Sequence, residues 1–118
     1  MKKLFAVTTA LVMAGSFSLA YAANLDKGKA LFDSPRLGGG TTGNSCQSCH
    51  AGGKLFGGDL FTRQQLTIMG DEKGSVAEIV NVCIEKALGG KAINPKGEEM
   101  QDLLAYMQSL LASKAGKK

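Results

Sequence analysis

Ser45-Cys46-Gln47-Ser48-Cys49-His50-Ala51 is the stretch on which the fold of this 118-residue chain turns: two thiols three positions apart, then an imidazole. Outward toward the N-terminus, Pro35 and Gly38-Gly39-Gly40 break regular structure, and residues 34–45 read as a loop. Ahead of that loop, Asn24 is a suitable cap for a short helix over residues 25–32. Leu25, Gly28 and Phe32 share one of its faces, and Gly28 would let another helix approach closely. Outward toward the C-terminus, residues 51–59 are again glycine-rich. Residues 60–69, with Leu60, Phe61, Leu66, Ile68 and Met69, are expected to form a short helix.

The best-marked element follows. Ser75-Val76-Ala77-Glu78 has the pattern of a capping box, and Val76, Ile79, Val80, Cys83, Ala87 and Leu88 then recur with helical spacing as one apolar stripe. Gly89-Gly90 supplies the left-handed residue that closes a helix. A last helix is expected from Gly97–Glu98 to about Ala112, with Glu98 and Glu99 at the favourable end of its dipole. Its stripe is Met100, Leu103, Leu104, Met107, Leu110 and Leu111, with Tyr106 beside it. No segment alternates as a strand would, and no internal repeat is visible. The expected fold class is a small all-α domain.

The first residues stand apart from that domain. Met1-Lys2-Lys3 is basic, residues 4–19 are mostly apolar, and Ala20-Tyr21-Ala22 has the small-x-small form of a cleavage site. This predicts a secretory signal peptide over residues 1–22, cut after Ala22, and a periplasmic location. A stable membrane anchor is disfavoured, because Thr8, Thr9, Gly15, Ser16 and Ser18 interrupt a run already shorter than the roughly 20 apolar residues of a spanning helix. Cleavage leaves residues 23–118 as a single domain, a size that often leans on a cofactor, metal or disulfide. It also removes two of the 14 Lys and Arg residues against 10 acids, so the formal charge falls from +4 to +2. The remaining basic residues are scattered apart from the Lys117-Lys118 tail, which excludes a nucleic-acid-binding stripe.

Four chemistries compete for the Cys-x-x-Cys-His motif. A thioredoxin-type redox pair wants a strand ahead of it and a βαβ setting, which the glycine-rich flanks do not offer. A Cys46–Cys49 disulfide would close a very short loop with no wider framework. Cys46, Cys49, His50 and Cys83 formally compose a three-Cys, one-His zinc set, but neighbours such as Cys49 and His50 rarely both reach one tetrahedral metal. Covalent haem attachment fits best. Two thiols at this spacing match two vinyl groups on one porphyrin edge, and the next residue sets its imidazole beneath the iron. The motif therefore predicts one haem c, bound through Cys46 and Cys49 with His50 as proximal iron ligand.

His50 is the chain's only histidine, so a second axial ligand must be something else. Met69 lies only 19 residues beyond His50, a short tether for a chain that has to wrap over the haem edge. Met100 and Met107 sit on the apolar stripe of the last helix, where core packing is the ordinary role. Cys83 is the odd cysteine of an exported protein. The pattern leaves two roles open to it, iron ligand or small buried hydrophobe.

The segments Leu31-Phe32-Asp33-Ser34-Pro35-Arg36-Leu37-Gly38 and Leu103-Leu104-Ala105-Tyr106-Met107 resemble the first and last helices of small c-type cytochromes. Ile79-Val80-Asn81-Val82-Cys83-Ile84-Glu85-Lys86-Ala87-Leu88-Gly89-Gly90-Lys91, with Glu98-Glu99-Met100, is similar to the N-terminal haem domain of thiosulfate dehydrogenases. It is more distantly similar to the catalytic cytochrome subunit of the Sox thiosulfate-oxidising system. The resemblance spans most of residues 25–112. It implies a cytochrome c fold, in which terminal helices cross near Gly28 and Tyr106 over one covalent haem. It also implies that Cys83 is the distal ligand as thiolate, ahead of Met100. Lys86, one turn from Cys83, is placed to offset thiolate charge, with a solvated lysine the simpler reading.

Two departures shape the functional expectation. The dehydrogenases have a second haem domain, whereas this chain has one motif, and Arg63 is the only basic residue in the central part of the loop between His50 and Cys83. An electron carrier serving periplasmic redox partners, with a link to thiosulfate-oxidising enzymes, is thus expected ahead of a self-sufficient enzyme. A haem-bearing enzyme subunit acting on thiosulfate-like compounds and a gas-binding or sensor module are the alternatives.

Overall fold

The structure is a computed structural model that describes residues 21–116. The expected signal peptide lies outside the described residues except for Tyr21 and Ala22. Four helices and one hairpin follow in the order α1 (Leu25–Asp33), α2 (Cys46–His50), β1 (Leu66–Ile68), β2 (Asp71–Lys73), α3 (Val76–Lys86) and α4 (Glu98–Ala115). Among the described residues, no helix is long and apolar enough to cross a membrane.

α1 begins where Asn24 accepts a hydrogen bond from the Lys27 amide at 3.0 Å, which satisfies one of the unpaired N–H groups of the first turn. It packs most extensively on α4. The two helices meet at Gly28, where a Cβ atom would overlap the Asp102 carbonyl oxygen and lie 2.8 Å from Tyr106 Cβ. One turn on, the fully buried Phe32 sets its ring edge against Tyr106 (centroids 5.2 Å apart) and against Phe56 (6.4 Å). Phe32, Ile84, Met100 and Leu103 are the largest wholly buried side chains.

The loop expected over residues 34–45 contains a 3₁₀ turn at Leu37–Gly39 and is anchored to the end of α3. Thr41 donates its amide to the Leu88 carbonyl (2.8 Å), and the Thr42 hydroxyl donates to the Ala87 carbonyl (2.8 Å). Carbonyls that α3 leaves unpaired at its C-terminus thus find donors in a distant loop. Gly89, with φ +67°, turns the chain out of the helix as its position suggested. Asn81 then clamps the return segment, donating to the Ile93 carbonyl and accepting from the Ile93 amide, each at 2.9 Å.

The expected helix over residues 60–69 is not formed. Residues 66–73 are an antiparallel hairpin, with Leu66 opposite Lys73 and Ile68 opposite Asp71. Met69 (φ 48°) and Gly70 (φ 84°) both have positive φ, the backbone of a tight type I′ turn. Such turns usually announce themselves as Asn-Gly or Asp-Gly, and three-residue strands are too short to show alternation. Met-Gly carries neither signal. The last helix also continues beyond the expected Ala112, to Ala115.

The close approach at Gly28 sets the first prediction. Gly28→Ala would push α1 off α4 and should destabilise the domain by about 1–3 kcal/mol, the usual range for overpacking. Denaturant unfolding of the two proteins checks this, and a stability equal to wild type would contradict the crossing geometry.

Candidate cofactor site

α2 is only five residues long and holds its shape by local capping. Ser45, largely buried, donates its amide to Ser48 Oγ at 2.9 Å, and its own hydroxyl accepts from the Ser48 amide. Cys46, Cys49 and His50 are set on this one turn. His50 Nδ1 lies 2.8 Å from the Lys54 carbonyl oxygen, a pairing that requires Nδ1 to carry the proton and donate it. The other ring nitrogen, Nε2, is then the one with a free lone pair for a metal. The imidazole stacks on Phe56, with centroids 4.6 Å apart and planes 26° from parallel.

The loop that carries the Lys54 carbonyl is itself held. Lys114, from the last turn of α4, donates to the carbonyls of Phe56 (3.2 Å) and Gly53 (3.4 Å). Gly53, at φ +83°, a backbone conformation that favours glycine, lies against Leu110 of α4. A chain of contacts thus runs from α4 through residues 53–56 to the orientation of His50.

Cys46, Cys49, His50 and Cys83 all line one mostly apolar cavity of about 350 Å³. That volume is in the range of small-molecule and cofactor pockets. The stripe of α3 explains the apolar lining. Val76, Ile79, Val80, Cys83 and Ala87 all face the cavity, joined by Leu66 from β1, Phe32 and Met107. Ile84, off that stripe, is the α3 residue that packs closely under the Gly38 loop. Burial pushes the Cys46 thiol up to about 11, with Cys83 nearby adding to it. Burial also raises Cys83, helped by Cys49. Both thiols are therefore held protonated near neutral pH unless a positive centre compensates.

The competing groups make different demands on these residues. Among the described residues no three His, Cys, Asp or Glu side chains converge closely enough to hold a metal ion, so the formal zinc set is not assembled. A porphyrin makes different demands: two thiols on one turn, an imidazole with a free Nε2, an apolar chamber and a further donor reached across it. Cys46, Cys49, His50 and Cys83, around the apolar lining, are the residues that would hold such a group, and their chemistry suits it.

Among the methionines, Met100 is wholly buried in the core and does not line the cavity, whereas Met69 and Met107 do. Met69 reaches the cavity despite its short tether because the hairpin that carries it docks on α3, which forms one wall of that cavity. Lys86 is half-exposed and engaged with the hairpin. It pairs with Asp71 at 2.5 Å and donates to the Met69 carbonyl at 3.1 Å, clipping the hairpin to α3 instead of attending Cys83. Arg63 lines the cavity, but its Nε is committed to Asp59 at 2.7 Å, a pairing that holds the Asp59 carboxyl below its ordinary range. Leu55, at φ 71° and 73% exposed, and Met69, 48% exposed, form an apolar part of the rim that composition alone did not reveal.

Comparison with protein-family models, with curated proteins and with solved structures finds no match to this chain.

The hairpin clip gives a pH prediction. The hydrogen bond from Lys86 holds the Asp71 carboxyl below its usual 3.8. A depressed carboxylate contributes stability that is in place above the unfolded value and is lost as pH falls through the folded one. Amide protection over residues 66–73 should therefore be constant from pH 7 to about 4 and fall below it. Asp71→Asn should produce the same loosening at pH 7 with little change in the unfolding midpoint of the domain, because exposed pairs contribute little globally. Hydrogen exchange followed by NMR reads both; a hairpin equally protected in Asp71→Asn would show the pair to be dispensable.

Proposed function

We propose that this chain is an exported, single-haem c-type cytochrome that passes single electrons between redox partners in the periplasm. The observation that carries the proposal is the meeting of Cys46, Cys49, His50 and Cys83 around one apolar cavity, with the His50 Nδ1 proton committed to the Lys54 carbonyl. A helical cytochrome c fold, with α1 and α4 crossing at Gly28, belongs to the same proposal. Bound in the cavity, a haem supplies a one-electron iron couple.

The chain's own residues define how such a couple would be tuned. Cys46 and Cys49 would anchor the ring through thioethers. Lys54 would fix the tautomer of His50 and raise its basicity. Val76, Ile79, Val80 and Leu66 keep the chamber apolar, which disfavours net charge inside it. Cys83 is the proposed distal ligand. Its protonated state in the bare polypeptide gives way to thiolate only against a cation, so the donor favours the oxidised metal and a low potential. A connection to the oxidation of sulfur compounds is proposed on the resemblance of residues 78–110 to thiosulfate-oxidising haem domains. Among the described residues, Arg63 is the single Lys or Arg on the cavity lining and its Nε is paired with Asp59, a sparse setting for an oxyanion substrate that favours a carrier over an enzyme that turns over thiosulfate itself.

Protein exported from a haem-attaching host should be coloured and heavier than the polypeptide by one haem. Cys83→Ala should convert a low-spin spectrum to one with an open or weakly held distal position, and the potential should rise. A low-spin spectrum unchanged by the substitution, with a methionine–iron charge-transfer band, would assign the ligand to a methionine and return Cys83 to packing. Colourless export would remove the cofactor altogether.

A further inference from the structure

Asp102 is a carboxylate in an unusual place. It sits on α4 at the crossing with α1, is 3% exposed, and takes no part in the cavity that holds Cys46, His50 and Cys83. Its partners all come from the beginning of the chain. The Asn24 amide donates to Oδ1 at 2.7 Å, and the Tyr21 hydroxyl reaches Oδ1 at 2.8 Å and Oδ2 at 3.0 Å. The other ionisable groups around it are Lys27 from α1 and Glu98 and Glu99 from α4, which share a hollow with it. None of these three is hydrogen-bonded to it.

A cut after Ala22 removes Tyr21 and with it one of the two donors that satisfy this carboxylate, the phenol shared between its two oxygens. A buried carboxylate left with one amide donor is costly. The same cut creates an ammonium group on Ala23. Asn24 N is already 2.7 Å from Oδ1, and the nitrogen of the preceding residue lies within about 3.8 Å of Asn24 N along the backbone. The new ammonium group is thus created one residue from an atom already hydrogen-bonded to this carboxylate.

We infer that Asp102 is the receiving site for the α-ammonium group of the processed chain, an ion pair that locks the start of α1 onto α4 once the leader has been removed. Precursor and mature protein then satisfy the same carboxylate with different donors: a phenol before cleavage and a charged amine after it. The pair fastens the helix crossing at Gly28, one turn into α1, and makes completion of the fold depend on where the leader is cut. The inference rests on the export part of the proposed function and is independent of the haem.

The test uses the full-length gene with its own leader, exported, and four proteins: wild type, Asp102→Asn, a variant with Gly-Ser inserted between Ala22 and Ala23, and the two changes combined. Intact mass should place the wild-type N-terminus at Ala23. Insertion and substitution should each lower the folding equilibrium constant, and together they should do little more than the larger alone, a coupling of roughly tenfold or more. An N-terminus elsewhere, or effects that multiply independently, would overturn the pairing. If Asp102→Asn does not accumulate, titration of the wild-type α-amino group decides. A midpoint above the ordinary range of about 7.7–8.0 supports the pair, and one within it overturns the inference. Export without haem but with Ala23 at the start would defeat the cofactor proposal and leave this comparison intact.

Discussion

Everything in this domain is arranged around the contact of α1 with α4 at Gly28. The backbones come so close there that a single methyl group would strike the Asp102 carbonyl, and Phe32 is driven beneath Tyr106 as a result. That ring then presents its edge to Phe56, and Phe56 in turn carries the imidazole of His50 on its face. Three aromatic contacts therefore link the terminal helices to the one histidine. The far end of α4 reinforces the link, with Lys114 holding the carbonyls on either side of the segment that orients His50. A small domain cannot bury enough apolar area to be rigid everywhere. Here the rigidity is concentrated along the route between the helix crossing and the motif.

α3 presents the complementary wall. An amphipathic helix normally buries its stripe against another helix. In this chain Val76, Ile79, Val80, Cys83 and Ala87 instead line the cavity, while its C-terminal carbonyls are held by Thr41 and Thr42 and its flank by Asn81 and Ile93. A helix tethered at its ends and side, with its apolar face turned to a chamber, suits an apolar occupant better than an ion. The failure of the formal zinc set to converge is the same fact seen from the donors: Cys83 belongs to the α3 wall, and Cys46, Cys49 and His50 to α2.

The sequence was legible wherever a signal was local. Ser75 caps α3 as its pattern indicates, although Glu78 reaches back to the Gly74 amide and not to that of Ser75. Gly89 ends the helix, Asn24 starts α1, and the members of the Cys-x-x-Cys-His motif lie together because one turn of chain holds them. Long-range features were not legible. The hairpin escaped notice because its turn is Met69-Gly70 and its strands are three residues each, so nothing in the composition distinguished it from a short helix. The cavity roles of Met69 and Met107, the isolation of Met100 and the engagement of Lys86 with Asp71 all depend on where that hairpin docks. The Tyr21 and Asn24 contacts to Asp102 join residues about eighty positions apart and have no local signature at all.

Three sulfur side chains line the cavity besides the motif's own pair, and their mechanical settings differ. Cys83 projects from the middle of a capped helix, and a short side chain there has few positions to explore. Met107 is nearly buried on α4. Met69 is half-exposed, on a left-handed turn at the far end of the hairpin from the buried Leu66, where the Lys86–Asp71 clip and one carbonyl hydrogen bond tie it to α3. A ligand must be held in place before it binds if binding is not to cost ordering entropy. By that criterion Cys83 is the best-prepared donor and Met69 the least. The clip matters for a second reason: a displaced hairpin would open the rim at Met69 and admit water to the chamber that keeps the Cys83 thiol neutral in the bare chain. The dryness of the chamber around Cys83 therefore depends on how the hairpin docks, through Leu66 in the core, Ile68 packed against it and the Lys86–Asp71 pair at the rim, remote from the motif in sequence yet adjacent to the helix that bears the thiol.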